Sequence, residues 1–398
     1  MQTFKYTARD TATNKIVHST VQASSEAEAA KLLMAQNIVP TEMSVVNGKG
    51  GISFGSRVPT KARVIFTRQL ATMINAGLPL SQSLSTVRDQ TANKNLKNII
   101  TEIANSVSGG AALGDSFAKY PKVFNQVYIA LVRAGEASGT LDKSLERLAD
   151  QQEHDADMLS KIRGAMVYPA IVLAVIVGVI IFMLVTLVPQ VEMLYSDMGK
   201  ELPLQTQILN WVANFVINYW YIVILVIIGL VFLLKWWIQT ESGRKTWDTI
   251  KLNMPLFSSL FRKMYMARFT RTSETLLAAG VPMLEVLRIS ADSVNNVVVK
   301  EAIIRAARKV KNGKPLSEGL TGEDYILPFV PQMIKIGETS GGIDAMMGKV
   351  ADFYEKEVDN AIKSISTLIE PILMVCMAFM IGFIVLAVLL PIYEIAGM

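Results

Sequence analysis

The side chains in this sequence best placed to do chemistry are carboxylates, and they recur with a period. Asp142, Glu146, Asp150, Glu153 and Asp157 follow one another at spacings of three and four, and Asp344, Asp352, Glu355 and Asp359 repeat the pattern farther along the chain. Such spacing puts each set on one face of a helix. Immediately upstream of each set stands another acid in a glycine-bracketed phrase: Glu136 in RAGEASGTLD (133–142) and Glu338 in KIGETSGGID (335–344). Three roles fit the acidic rows. They form a solvated face opposite Leu141, Leu145, Leu148, Leu159 and Ile162, or a docking stripe for a basic surface on a partner or a second protomer, or part of a divalent-cation site with Glu136 or Glu338. Oxygen ligands suit calcium or magnesium, but no loop with ligand spacing is present. The phrase itself has two readings. As a bundle corner, its glycines take left-handed angles and Ser138 or Thr140 caps the next helix; as an interface, Glu136 and Glu338 present charge to a protomer or partner.

Other chemistry finds little support. The two histidines, His18 and His154, are far apart in sequence, and Cys376 is the one cysteine. No motif assembles a nucleophile with a base or a His/Cys metal set, so neither an enzyme nor a cofactor is expected. The glycine-rich stretch NGKGGISFGSRVPT (47–60) contains no GxxxxGK[ST] and is not framed as strand-to-helix, which argues against a nucleotide site. The net charge of +5 comes from Lys and Arg spread along the chain without interleaved aromatics, so nucleic acid is not an expected partner.

The elements that position these residues begin with the membrane. Of 398 residues 51% are hydrophobic and 18% charged, and the mean hydropathy is +0.35; the combination indicates a membrane protein with large soluble parts. Three windows free of charge stand out: Ala165–Val191, Leu202–Leu234 and Pro371–Tyr393. Each holds the roughly 20 residues that a spanning helix needs. We place transmembrane helices at 165–189, 211–234 and 371–393, the second flanked by the interfacial aromatics NYWY and KWW. No Asp, Glu, Lys, Arg or His interrupts the windows, which weakens a three-span transporter or channel component as the rival reading. Lys235, Arg244, Lys245, Lys251, Arg262 and Lys263 crowd the segment after the second span, whereas loop 190–210 holds Lys200 against Glu192, Asp197 and Glu201. Positive charge marks the inner side, so 1–164 and 235–370 are expected to be cytoplasmic, with loop 190–210 and the tail 394–398 outside. The polar start MQTFKYTARD does not read as a cleavable signal peptide.

The soluble parts divide further. Residues 1–46 read as a small ββα-type module: alternating strands at TFKYTARD and KIVHSTVQA, a helix capped by Ser25 and Glu28, and a closing strand at TEMSVV. Residues 47–60 form a linker. The segments 61–164 and 235–370 are two copies of one helical bundle. FTRQLATMINAGLPLSQSL (66–84) is answered by FTRTSETLLAAGVPMLEVL (269–287), which aligns Arg68 with Arg271, Gly77 with Gly280 and Pro79 with Pro282. Phe66, Leu70, Met73 and Ile74 share a helix face, glycine ends that helix, and a second starts near the proline. From Gly135 to Pro169 against Gly337 to Pro371, 11 of 35 positions are identical. That match runs from the acidic turn down a long helix to the proline expected to open a span. The repeated unit is therefore a bundle with its membrane anchor, and the second span is the return that a same-direction repeat requires.

With the paired acidic turns, the FTRQL…AGLPL hairpin, the N-terminal module and the order domain, span, span, domain, span, the chain resembles the inner-membrane platform family of type II secretion and type IV pilus systems. The resemblance covers essentially the whole chain. It implies an all-α multi-pass protein of the bacterial inner membrane with two six-helix cytoplasmic bundles and homo-oligomerisation. It also implies a place beside other inner-membrane assembly proteins, between a cytoplasmic hexameric assembly ATPase and the pilin or pseudopilin subunits. One departure is local: RDTATNKIVHSTV lacks the glycines often found in that module's turn.

Overall fold

The computed structural model describes residues 2–10, 16–23, 34, 38–45, 58–197 and 204–396, in two compact units, Met1–Arg57 and Val58–Met398. In the first unit β1 (Gln2–Asp10), β2 (Ile16–Ala23) and β3 (Ile38–Val45) pair antiparallel in the order β2-β1-β3. Thr7 of β1 pairs with His18 on one side and Glu42 on the other, and the register slips between Thr7 and Ala8. The helix expected between β2 and β3 lies outside the described residues, save for Met34, which is helical; so does the linker as far as residue 57.

The second unit is helical. The first bundle comprises α1 (Thr60–Asn75), α2 (Leu80–Gln90), α3 (Lys94–Ser108), α4 (Leu113–Ala118), α5 (Gln126–Ser138) and the first half of α6 (Leu141–Asp197). After α7 (Leu204–Gln239) and α8 (Glu241–Asn253), the second comprises α9 (Ser258–Ala278), α10 (Met283–Ser293), α11 (Val297–Lys311), α12 (Leu316–Leu320), α13 (Phe329–Ser340) and the first half of α14 (Ile343–Ala396). The two copies use the same punctuation. Gly77 (φ 81°) and Gly280 (φ 79°) take left-handed angles just past α1 and α9. Gly77 N–H donates to the Ile74 carbonyl at 2.9 Å and Leu78 N–H to that of Met73 at 3.1 Å; Gly280 and Val281 repeat both bonds, to Leu277 and Leu276. This double bond pattern satisfies the last carbonyls of a helix. Pro79 and Pro282 then stand at the N-caps of α2 and α10, and Asn93 and Asn296 cap α3 and α11 through their side-chain oxygens.

Burial of the apolar faces holds each bundle, at about 1.5–3 kcal/mol per large side chain. In the first, Phe66, Phe117, Phe124 and Tyr128 form a ring cluster with centroids 4.5–6.3 Å apart. In the second, buried Tyr354 packs edge-on against half-buried Phe329, with the exposed Phe353 beside both. Leu276, Val286 and Ile289 join the first core and Met158 of α6 joins the second, so the bundles pack against one another.

Among the described residues three helices are long and apolar enough to cross a membrane: Leu141–Asp197, the stretch Ile217–Gln239 of α7 and the stretch Ile343–Phe383 of α14. Leu184 and Val188 of α6 pack with Ala213 of α7, but most large side chains of the apolar stretches lack protein cover; Phe182, Phe232 and Phe379 are 64%, 72% and 76% exposed, a surface that requires lipid. Helix α7 kinks at Tyr219 (φ −123°, ψ 21°). Pro169 and Pro189 lie inside α6 and Pro371 lies inside α14, so neither Pro169 nor Pro371 opens a helix. A proline inside a helix removes one N–H donor and crowds the carbonyl four residues back, yet α6 and α14 continue through these positions. The boundaries expected between bundle and span, at 164/165 and 370/371, therefore fall within unbroken helices. At 1.5 Å per residue, the 57 residues of α6 extend about 85 Å.

Since nothing stands within 4 Å of a Cβ added at Gly77 or Gly280, an alanine at either would meet only backbone strain. We expect Gly77→Ala and Gly280→Ala each to lower stability by about 1 kcal/mol, read by thermal unfolding in detergent; an unchanged midpoint would show that the left-handed cap is dispensable.

Candidate functional site

Each letter of the repeated acidic phrase has a separate task. Glu136 lies in the last turn of α5 and its carboxylate reaches across to the start of α4. Its Oε1 accepts the Leu113 N–H at 2.8 Å and its Oε2 the Gly114 N–H at 3.1 Å. Helix α4 has only six residues, and its own N-cap residue, Ala112, offers no side-chain acceptor. Glu136 supplies the missing cap from another helix, placing negative charge where the first amides leave a partial positive charge. The second copy repeats the arrangement. Glu338 Oε1 accepts the N–H groups of Leu316 at 2.5 Å and Ser317 at 3.2 Å, and its Oε2 accepts the Ser317 hydroxyl at 2.5 Å. The N-cap of α12 is Pro315, again without a side-chain acceptor.

The glycines differ in kind. Gly139 (φ 71°) and Gly341 (φ 76°) make the left-handed turn. Gly135 and Gly337 are helical and permit close approach: a Cβ on Gly135 would lie 2.5 Å from Ser144 Oγ, and one on Gly337 2.9 Å from Ile343 Cα. The expectation that the glycines serve alike as left-handed positions is corrected accordingly. Ser138 donates back to the Ala134 carbonyl at 2.7 Å and meets the Thr140 hydroxyl at 2.7 Å.

Below the corner, the repeated arginine of the hairpin clamps the acidic row. Arg68 Nε and Nη2 donate to the two Glu153 oxygens at 2.7 and 2.6 Å, and Nη2 also reaches Asp150 at 2.5 Å. Arg271 holds Glu355 at 2.9 and 3.0 Å and also binds Asp352. Two-pronged guanidinium–carboxylate bonds are directional as well as strong. The Arg68 bonds hold the Glu153 carboxyl below its ordinary value of 4.5. One carboxylate changes helix between copies. Glu146 on α6 accepts from Asn75 at 2.6 Å, but its counterpart is Gly348, and Glu274 of α9, which stands in place of Ala71, approaches within 3.3 Å of where a Gly348 Cβ would be. Burial pushes the Glu274 carboxyl up despite Arg271 nearby.

The rest of the two rows meet between the bundles. Asp157 of α6 and Asp352, Glu355 and Asp359 of α14 line a groove of about 360 Å³ with His154, Lys161 and Lys356. Lys161 binds both Asp359 oxygens at 3.0 and 2.8 Å, and His154 Nδ1 lies 3.7 Å from Glu355. Asp142 and Asp344 open α6 and α14 and take part in none of these pairs. Among the described residues no three His, Cys, Asp or Glu side chains are grouped to hold a metal ion. Sequence reasoning missed a buried seam: Gln151 donates to Thr272 at 2.9 Å across the bundles, and Arg63 reaches the Val123 carbonyl at 2.9 Å. It also missed Asp248, which accepts the Val297 N–H at 2.9 Å. These contacts join faces of different helices and carry no local motif.

A duplicated bundle that uses Glu136, Glu338 and the clamped acids of its rows for its own architecture, set directly on membrane helices, defines a polytopic membrane scaffold. The sequence profile of the type II secretion system (T2SS) protein F family matches residues 66–189 and again 269–391, and that of its N-terminal domain matches 1–44. A type IV pilus assembly protein PilC of Thermus thermophilus is 38% identical over 405 aligned positions, covering 100% of this chain and 99% of its own. The type IV pilus assembly protein PilC of Pseudomonas aeruginosa is 35% identical over 353, with coverage of 88% and 94%. The type II secretion system protein F of Vibrio cholerae is 31% identical over 401, with coverage of 99% and 98%. The chain belongs to the type II secretion system protein F family, whose members are structural components rather than enzymes.

Two substitutions test the geometry. Glu136→Ala strips the acceptor from two amides and should cost about 1–2 kcal/mol in thermal unfolding, with Glu136→Gln losing less; equal stability of all three proteins would contradict the cap. The Glu153 carboxyl is held below its ordinary value, so its pairing stabilises at neutral pH and is lost as pH falls from the ordinary carboxylate range through the lowered value. Arg68→Ala should therefore be about 1 kcal/mol less stable than the parent at pH 7, with the gap closing on acidification; a gap independent of pH would count against the pair.

Proposed function

We propose that this chain is the inner-membrane platform of a type IV pilus or type II secretion machine, coupling a cytoplasmic hexameric assembly ATPase to insertion of pilin or pseudopilin subunits into a growing filament. Both bundles lie on the cytoplasmic side, where the Lys and Arg flanking the spans belong, and the carboxyl end is outside. The platform works as a homo-oligomer among other inner-membrane assembly proteins. Asp142 and Asp344, which make no ion pair among the described residues, are the row members left to meet a protomer or partner.

The observation that carries this reading is the continuity of α6 and α14 from bundle into span. A rigid helix shared by both parts turns a movement of the bundle into a movement within the membrane; a flexible joint would dissipate it. Gly-Gly inserted after Ile162 and again after Ser364 should abolish filament assembly or secretion while the protein still inserts and still co-purifies with the ATPase. Assembly at the parental rate by the inserted variant would overturn the coupling role.

A further inference from the structure

In the second unit, α5 and the α10–α11 pair border an open groove of about 1180 Å³. Its floor is made of short apolar side chains, Ala130, Ala134, Ala137 and Ala307, and its rim carries Arg288, Arg308 and Lys311. All three rim cations are exposed and make no ion pair or hydrogen bond among the described residues, whereas neighbouring cations of α11 are engaged: Lys300 with Asp292, and Arg305 and Lys309 with Glu323. Arg133 on the opposite wall is paired with Asp115, and Glu285 is the single acid on the lining.

The internal repeat shows that the fold does not require these cations. The first bundle builds the same α2–α3 pair with Ser85, Asn105 and Ser108 at the positions of Arg288, Arg308 and Lys311. Unpaired positive charge has thus been placed in one copy only, beside the apolar floor. We propose that this groove docks an acidic amphipathic helix of a soluble protein partner. The floor accepts an apolar stripe of small and medium side chains, and the rim meets carboxylates bordering that stripe. A lipid headgroup is a poor occupant, since the 24 residues of α6 from Leu141 to Gly164 set the corner about 35 Å from the start of the apolar stretch. A second copy of this chain is also a poor one, because six of its nine row acids are already held: four by Arg68 and Arg271, Asp359 by Lys161 and Glu146 by Asn75.

A photo-crosslinking residue at Leu284, which is exposed on this lining, tests the proposal in cells producing the full chain. The expected result is a cross-link to a soluble protein, mapped by mass spectrometry to a segment with acids at helical spacing. Importing the first bundle's own residues, Arg288→Ser with Arg308→Asn and Lys311→Ser, should reduce the yield about tenfold, equivalent to about 1.4 kcal/mol, without lowering the melting temperature in detergent. Cross-links only to a second copy or to lipid, the absence of any cross-link, or a yield unmoved by the triple substitution would overturn it.

Discussion

A carboxylate that crosses from the end of one helix to the first amides of another closes each bundle. Short helices of five or six residues do not hold themselves together in water, because too few internal hydrogen bonds offset the cost of ordering the chain. Glu136 and Glu338 remove that difficulty for α4 and α12 by satisfying the amides that would otherwise be orphaned. Once α4 is pinned, Phe117 can enter the ring cluster with Phe66, Phe124 and Tyr128. Gly135 then lets α5 lie directly against the beginning of α6. The long helix leaves for the membrane from a corner fixed on three sides.

Duplication makes the same solution visible twice, and its departures are informative. The arginine clamp is kept in kind, Arg68 on Asp150 and Glu153, Arg271 on Asp352 and Glu355. The nearby third carboxylate moves from α6 in one copy to α9 in the other, where Gly348 makes room for Glu274. Local charge is preserved although its source is not. Arg288, Arg308 and Lys311 of the second copy stand where the first has Ser85, Asn105 and Ser108, so the two bundles are structural equivalents with different surfaces.

Much of this was legible in the sequence because it depends on local periodicity. Helix faces, the Gly77–Pro79 and Gly280–Pro282 stops, the three apolar stretches and the repeat itself need only neighbours along the chain. The role of Glu136 was not legible, since its partners lie 22 and 23 residues away on another helix and the motif looks like part of a turn. The clamp was half visible: Arg68 was a marker of the hairpin and the acids a row on the long helix, and only packing brings them together. Pro169 gave no sign that a single helix runs through it, since a proline inside a helix usually kinks or ends it, yet α6 is continuous there. The buried bond from Gln151 to Thr272 joins the two copies and leaves no trace in either alone.

The cross-helix cap underlies the rest of the structure, and amide hydrogen exchange reads it directly. In the detergent-solubilised chain, Glu136→Ala should accelerate exchange at the Leu113 and Gly114 amides, and Glu338→Ala at those of Leu316 and Ser317, each leaving the other bundle protected. Unchanged exchange at those four amides in the variants would contradict the claim that these carboxylates close the bundles.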